Sequence, residues 1–186
     1  MKKLFFITIF FTTCYFTSIT LVLAEVLSVV TNESKIEYKK AYFAGGCFWC
    51  MEESFDKLKG VKKSISGYSG GHVKNPTYKE VIYKDTGHVE AVTVYYDPKL
   101  ISYEKLLETF WKNVDPFDAD GQFCDKGKSY RSVAFYQNLK QKQIIENSIL
   151  KIEKKFNKKK VVTLVWEFKK FYPAEDYHQD YYQKNF

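Results

Sequence analysis

Cys47 and Cys50 stand two residues apart in Gly46-Cys47-Phe48-Trp49-Cys50, where an apolar run, Ala41-Tyr42-Phe43-Ala44, gives way to a segment whose apolar residues Phe48, Met51, Phe55 and Leu58 recur at spacings of three and four. That period predicts a helix from Cys47 to Lys59 preceded by a strand. A cysteine in the first helical turn meets unpaired backbone N–H groups and the positive end of the helix dipole. Both stabilise a thiolate, so the Cys47 pKa is expected to fall from about 8.5 towards neutrality. Gly45 and Gly46 let the chain turn and leave room beside the sulfur. A nucleophilic thiol is the chemistry implied; a structural disulfide or half of a metal site uses the same spacing.

Glu90 is the second reactive candidate. It lies in Val89-Glu90-Ala91-Val92-Thr93-Val94-Tyr95-Tyr96, which reads as a strand closed by Asp97-Pro98. Alternation puts Glu90 on the face of Val92 and Val94. If that face is inward, the carboxyl is desolvated, its pKa rises and it can serve as a general acid; if Ala91, Thr93 and Tyr95 face inward, Glu90 is solvated. A third cluster, Gly121 to Ser132, follows neither period and carries Cys124, Asp125, Tyr130 and the lone arginine, Arg131. Irregular segments of this composition often carry function, although Asp125 could equally cap its own turn.

The remaining elements must hold these residues in place. Val61 to Gly67 reads as a strand, Ser66 to His72 as a glycine-rich loop without the Gly-Lys-Ser/Thr ending of a phosphate-binding loop. Asn75-Pro76-Thr77 looks like a helix start, with a short helix to Tyr83. A helix from Ser102 to Asn113 buries Leu106, Leu107, Phe110 and Trp111. Ser132 to Tyr136 is a strand, a lysine-rich helix follows, and Val161 to Phe168 is the final strand expected. The class is α+β, a single two-layer sheet-and-helix domain.

The first residues read differently. Lys2-Lys3, an uncharged run from Leu4 to Leu23 and small residues at Val22-Leu23-Ala24 fit a secretory signal peptide, residues 1–24, cut after Ala24. The run is also long enough to stay as a membrane anchor. The protein is therefore expected to be exported, to a periplasm or the extracellular space. Residues 25–40 read as a linker and 41–186 as the catalytic domain. Cys14 falls in the leader and has no role. The formal charge of +7 is concentrated between Lys140 and Lys170, on what reads as one solvated helix face. With a single arginine, nucleic-acid binding is not expected. Three cysteines remain after the leader, an odd number that argues against a disulfide scaffold. Rival readings are a thioredoxin-like disulfide oxidoreductase, for which the four prolines offer no loop facing the cysteines, and a zinc module using these cysteines with His72, His88 or His178. Nothing points to a bound cofactor.

The separated segments resemble the peptide methionine sulfoxide reductases of the A type. The likeness runs through Gly46-Cys47-Phe48-Trp49, Asn75-Pro76-Thr77-Tyr78, Thr86-Gly87-His88-Val89-Glu90-Ala91-Val92, Phe110-Trp111, Asp125-Lys126-Gly127, Tyr130-Arg131-Ser132 and Ala174-Glu175-Asp176-Tyr177-His178-Gln179. The resemblance implies a ferredoxin-like core and a reaction in which Cys47 attacks the sulfur of methionine-S-sulfoxide and becomes a sulfenic acid. It implies Glu90 as general acid, Tyr78 and Tyr130 as hydrogen-bond partners of the sulfoxide oxygen, Asp125 ordering the polar side, and Phe48 and Trp49 walling the methyl group. Oxidised protein substrates, a thioredoxin-like reductant and a monomer are expected. Many relatives carry glycine where this chain has Cys50, and many have recycling cysteines in a C-terminal tail that this chain lacks. The second thiol is therefore Cys50, Cys124 or one from outside the protein.

Overall fold

The structure is a computed structural model that describes residues 37–185. The expected leader, Cys14 and the first part of the linker lie outside the described residues. Eight strands and five helices follow Tyr38 in one compact unit. They are β1 Lys39–Ala44, α1 Phe48–Asp56, β2 Val61–Ser69, α2 Tyr78–Tyr83, β3 Val89–Tyr96, α3 Tyr103–Lys112, the two-residue strands β4 Gly121–Gln122 and β5 Asp125–Lys126, β6 Val133–Tyr136, α4 Leu139–Lys155, β7 Leu164–Glu167, β8 Phe171–Pro173 and α5 Tyr181–Asn185.

Six strands form one sheet in the order β7-β6-β1-β3-β2-β8, antiparallel throughout except for the β6–β7 pair. A mixed sheet with helices is the α+β class expected. Its strands present alternate side chains to two apolar layers. Phe43, Val92 and Val94 face a helix-covered core with Phe48, Met51 and Phe55 of α1, Leu106 and Phe110 of α3 and Ile145 of α4. Tyr42, Ala44, Val89, Ala91 and Phe135 face the other way, under Trp166, Phe168 and Phe171. Phe168 stacks on Tyr42 with ring centres 3.6 Å apart. Every residue of β3 except Tyr95 is buried, so both faces of this strand are dry. The alternatives left open for Glu90 collapse into one, since either face would have enclosed it.

Local chemistry explains most boundaries. Thr77 caps α2 by accepting from the Glu80 N–H, while the Glu80 carboxylate accepts from the Thr77 N–H, a reciprocal capping box. Ser102 and Asn138 cap α3 and α4 in the same way with one bond each. β1 begins at Lys39 rather than Ala41, because Lys39 and Lys40 pair with Tyr96 and Tyr95 through their backbones while their side chains stay exposed. The final strand is shorter than the apolar run 161–168, and the edge strand β8 and helix α5 beyond it carry too little periodicity to be read from sequence.

The β2–β8 pairing depends on a close approach. A Cβ added to Gly67 would fall 2.3 Å from the Tyr172 carbonyl oxygen and 2.5 Å from the Phe171 ring. Gly67→Ala must therefore push β8 from the sheet edge, and a loss of roughly 1–3 kcal/mol is expected from such overpacking. Urea unfolding of the variant measures it; an unchanged midpoint would show that the edge yields freely.

Candidate active site

The chain turns into α1 through Gly46, whose φ of 79° suits glycine, and a Cβ there would lie 2.6 Å from Cβ of Gln122. Gln122 is itself fixed. It accepts from the Asp115 N–H at 2.6 Å and donates to the Asp115 and Gly121 carbonyls at 2.9 and 2.7 Å. The β4–β5 hairpin is thereby held against the residue preceding Cys47. Cys47 occupies the helix cap position and is half-buried, whereas Cys50 and Cys124 are exposed, and all three are free thiols.

Glu90 is only 2% exposed, and its Oε2 accepts from the Phe48 N–H at 3.0 Å. The bond joins the centre of the sheet to the first turn of α1, one residue from the thiol. Burial pushes the Glu90 pKa up to about 8, the charges of Asp125 and Cys50 add to the rise, and the Phe48 N–H opposes it. Glu90 therefore carries its proton at neutral pH.

The thiols depart from the sequence expectation. The Cys47 pKa is raised, first by the hydrogen bond it shares with Cys50 and then by burial, against which the Cys50 amide pulls. Cys50 goes the other way, down to about 6, with the Cys47 hydrogen bond as the main cause and the Tyr182 hydroxyl assisting against burial. The expected depression of Cys47 is thus corrected: its shift runs upward, and the lowered pKa falls on the more exposed sulfur one turn along. Cys47, desolvated and near Glu90, keeps the proton that the pair shares.

Tyr78 and Tyr130, 52 residues apart in sequence, bring their hydroxyls within hydrogen-bonding reach of each other. Burial raises both phenols, and the neighbourhood of Glu90 raises them further, so both are neutral donors. Tyr78 is held by Glu175, which accepts from its N–H at 3.0 Å and from the Tyr68 hydroxyl at 2.9 Å. Tyr68 pairs with Glu90 across β2 and β3. Asp125, half-buried in β5, acts electrostatically on Glu90, Cys50 and Tyr130. The apolar wall is deeper than Phe48 and Trp49 alone. Phe48 lies against Tyr68, Tyr78 and His178, and Trp49 stacks on Tyr181 at 3.7 Å and 7°.

Arg131 does not join the cluster, despite its place in the sequence. Its side chain donates to the Lys128 carbonyl and sits over the Trp166 ring. His88 bonds to Gly71 and Val73, and among the described residues no group of three or more His, Cys, Asp or Glu side chains could hold a metal. Sequence reasoning missed His178, Tyr181 and Tyr182 as site neighbours, although the tyrosines crowded near the C-terminus were the available signal. A groove of about 600 Å³ between α3 and α4, lined by Leu107, Trp111, Ile144 and Ile152, contains none of these residues.

The match to known proteins covers this whole assembly. Residues 39–186 fit the family described as peptide methionine sulfoxide reductase. The chain belongs to this family. A relative from Listeria innocua, "Peptide methionine sulfoxide reductase MsrA", is 53% identical over 152 residues, 81% of this chain and 86% of that protein. The crystal structure of Mxr1 from Saccharomyces cerevisiae in reduced form superposes with a TM-score of 0.75 at 30% identity, covering 82% of this chain and 88% of that one. Mxr1 in complex with Trx2 shares the fold, with a TM-score of 0.55 at 22% identity over 80% and 87% of the two chains. The relatives place the protein among the methionine sulfoxide reductases of the A type, which are oxidoreductases.

A buried acid in such a reductase has a thermodynamic signature. Between about pH 4.5 and 8 the folded protein keeps a proton on Glu90 that the unfolded chain has released. This contribution to stability is full below that window and is lost as pH rises through it, at roughly 1.4 kcal/mol per pH unit. Denaturant titrations across the window should show wild type losing stability relative to Glu90→Gln. A difference that stays flat would place the Glu90 pKa in the ordinary range.

Proposed function

We propose that the protein reduces methionine-S-sulfoxide, in proteins and as the free amino acid, through a sulfenic acid on Cys47 that Cys50 resolves to a disulfide. The observation that carries this reading is the proton-bearing Glu90 bonded to the backbone N–H adjacent to the thiol. Acid and nucleophile lie on opposite sides of one hydrogen bond.

At neutral pH the site holds two protons, one on Cys47 and one on Glu90, and an anion on Cys50. As Cys47 sulfur attacks the sulfoxide sulfur, its proton passes to Cys50. Glu90 delivers its proton to the sulfoxide oxygen, which Tyr78 and Tyr130 hydrogen-bond and Asp125 helps to orient. The S–O bond breaks, the hydroxyl passes to the Cys47 sulfur as the bond between Cys47 and the substrate sulfur breaks, methionine departs with its sulfur reduced by two electrons, and Cys47 is left as S–OH, oxidised by two. Cys50 then attacks Cys47, the S–OH bond breaks and hydroxide takes up the remaining proton as water. Atoms and charge balance: two protons and one oxygen leave as water, and the thiol pair becomes a disulfide. Phe48 and Trp49 take the methyl group on the side opposite the hydroxyl donors, which selects one sulfoxide epimer.

Cys50 is favoured over Cys124 because it already shares a hydrogen bond with Cys47. A thioredoxin-like protein would reduce the disulfide, a reading supported by the complex of Mxr1 with Trx2. The leader-like sequence of residues 1–24 favours repair of exported proteins damaged by oxidants, by a monomeric catalytic domain that begins with β1 at Lys39 and is preceded by a linker. The inner strand order β6-β1-β3-β2, built by β-α-β-β-α-β connectivity once α2 and the β4–β5 hairpin are taken as insertions, supports a ferredoxin-like core.

Turnover of the two separated epimers of methionine sulfoxide with dithiothreitol tests the reading. Wild type should consume the S epimer, Cys47→Ser should be inactive, and Glu90→Gln should lose about 10²-fold or more in kcat at pH 7. Wild-type activity should decline above about pH 8, as Glu90 loses its proton. Activity surviving Cys47→Ser, or confined to the R epimer, would overturn it.

A further inference from the structure

The C-terminal segment reaches back onto the cysteine helix and ends on Cys50. The Asp180 N–H donates to Oε2 of buried Glu52 at 3.0 Å, and the Gln179 side chain brackets Ser66, accepting from its N–H at 3.0 Å and donating to its carbonyl at 2.9 Å. Tyr181 then stacks on Trp49, and the Tyr182 hydroxyl lies 3.4 Å from the Cys50 sulfur. Helix α5 is thus pinned at its start to α1 and β2, and its second residue is aimed at a thiol rather than at solvent. We propose that Tyr182 is a positioning residue for the recycling step, its phenol donating to the Cys50 sulfur and holding it as a thiolate oriented for attack on oxidised Cys47. The inference rests on Cys50 as the resolving thiol and assigns the residue that prepares it.

The chemistry requires such a donor. Cys50 is exposed and, among the described residues, no lysine or arginine bonds to it, so its thiolate depends on hydrogen bonds. Cys47 supplies one only while it is a thiol. Once Cys47 is a sulfenic acid that bond changes, whereas the Tyr182 bond persists and favours release of the proton that Cys50 took from Cys47, so that the thiolate re-forms for the second step. The interaction also accounts for the phenol's own behaviour: its pKa is pushed up to about 12, chiefly by the hydrogen bond to Cys50, so it remains a donor at every pH at which the enzyme works. In the step itself, the Cys50 sulfur forms the S–S bond as the Cys47 S–OH bond breaks, and the departing hydroxide takes the proton that Cys50 gives up and leaves as water.

The test is a single turnover of the full chain with one equivalent of methionine-S-sulfoxide, quenched at intervals and read by mass mapping of the disulfide against methionine released. Tyr182→Phe retains the ring and removes the donor. Below the wild-type midpoint disulfide formation should slow by about tenfold per methionine released, the worth of one charge-assisted hydrogen bond, narrowing to about twofold at pH 7. The midpoint of its pH dependence should rise by about one unit. A variant whose Cys47–Cys50 disulfide forms at the wild-type rate with the wild-type midpoint overturns the role of Tyr182 while leaving Cys50 as the resolving thiol. A wild-type disulfide that maps to Cys124 overturns the reading beneath it. Tyr182→Leu separates packing from hydrogen bonding: it should match Tyr182→Phe, and a much larger defect in Leu with none in Phe would assign Tyr182 to packing alone.

Discussion

The Phe48 N–H donates to Glu90 Oε2 across 3.0 Å, and this bond connects the sheet to the first turn of α1 at the centre of the proposed site. On one side is the first turn of α1, whose backbone donors lack helical partners. On the other is the middle strand of the sheet, dry on both faces. A carboxyl is tolerated there because one oxygen is satisfied by that N–H and because the group keeps its proton. The same placement fixes the separation of Glu90 and Cys47, the acid and nucleophile of the proposed reaction, since Cys47 immediately precedes the residue that donates. Packing of Phe48, Met51 and Phe55 against Phe43 and Val92 then makes the geometry a property of the core rather than of side-chain choice.

Around that bond the charges are arranged by unequal exposure. Glu90 and Cys47 are the less hydrated groups and stay neutral; Cys50, nearer to water, carries the anion. On the proposed reaction this distribution stores the two protons that end in water. It also removes a difficulty, because a thiolate on Cys47 beside a carboxylate on Glu90 would place two anions in a poorly solvated site. The aromatic layer of Phe48, Trp49, Tyr78, His178 and Tyr181 supplies the dry surface on which those energies depend.

Much of this arrangement was legible in the sequence because it is local. The 3–4 spacing after Cys47 names a helix and its buried face, the alternation around Glu90 names a strand with its inward face left open, and Asn75-Pro76-Thr77 names a helix start. The ionisation of the thiols was not legible, because it depends on which sulfur the fold buries, and helix position alone says only that an anion is favoured nearby. The irregular segment 115–130 hid the β4–β5 hairpin, whose two-residue strands have no period and whose position is set by Gln122 meeting Gly46. Arg131 shows the opposite error: proximity in sequence to Asp125 and Tyr130 suggested a shared cluster, yet the chain turn at Lys128–Tyr130 sends it to Trp166. The C-terminal tyrosines were visible as composition only, since their partners lie over 130 residues away.

The state of Glu90 in the free protein decides the account most directly. Infrared difference spectra of wild type against Glu90→Gln, recorded as a function of pH, isolate its carboxyl stretch. A protonated carboxyl band present at pH 7 and lost with a midpoint near 8 is the predicted result. A carboxylate already formed at pH 6, titrating in the ordinary range of about 4 to 5, would contradict it and remove the acid from the proposed reaction.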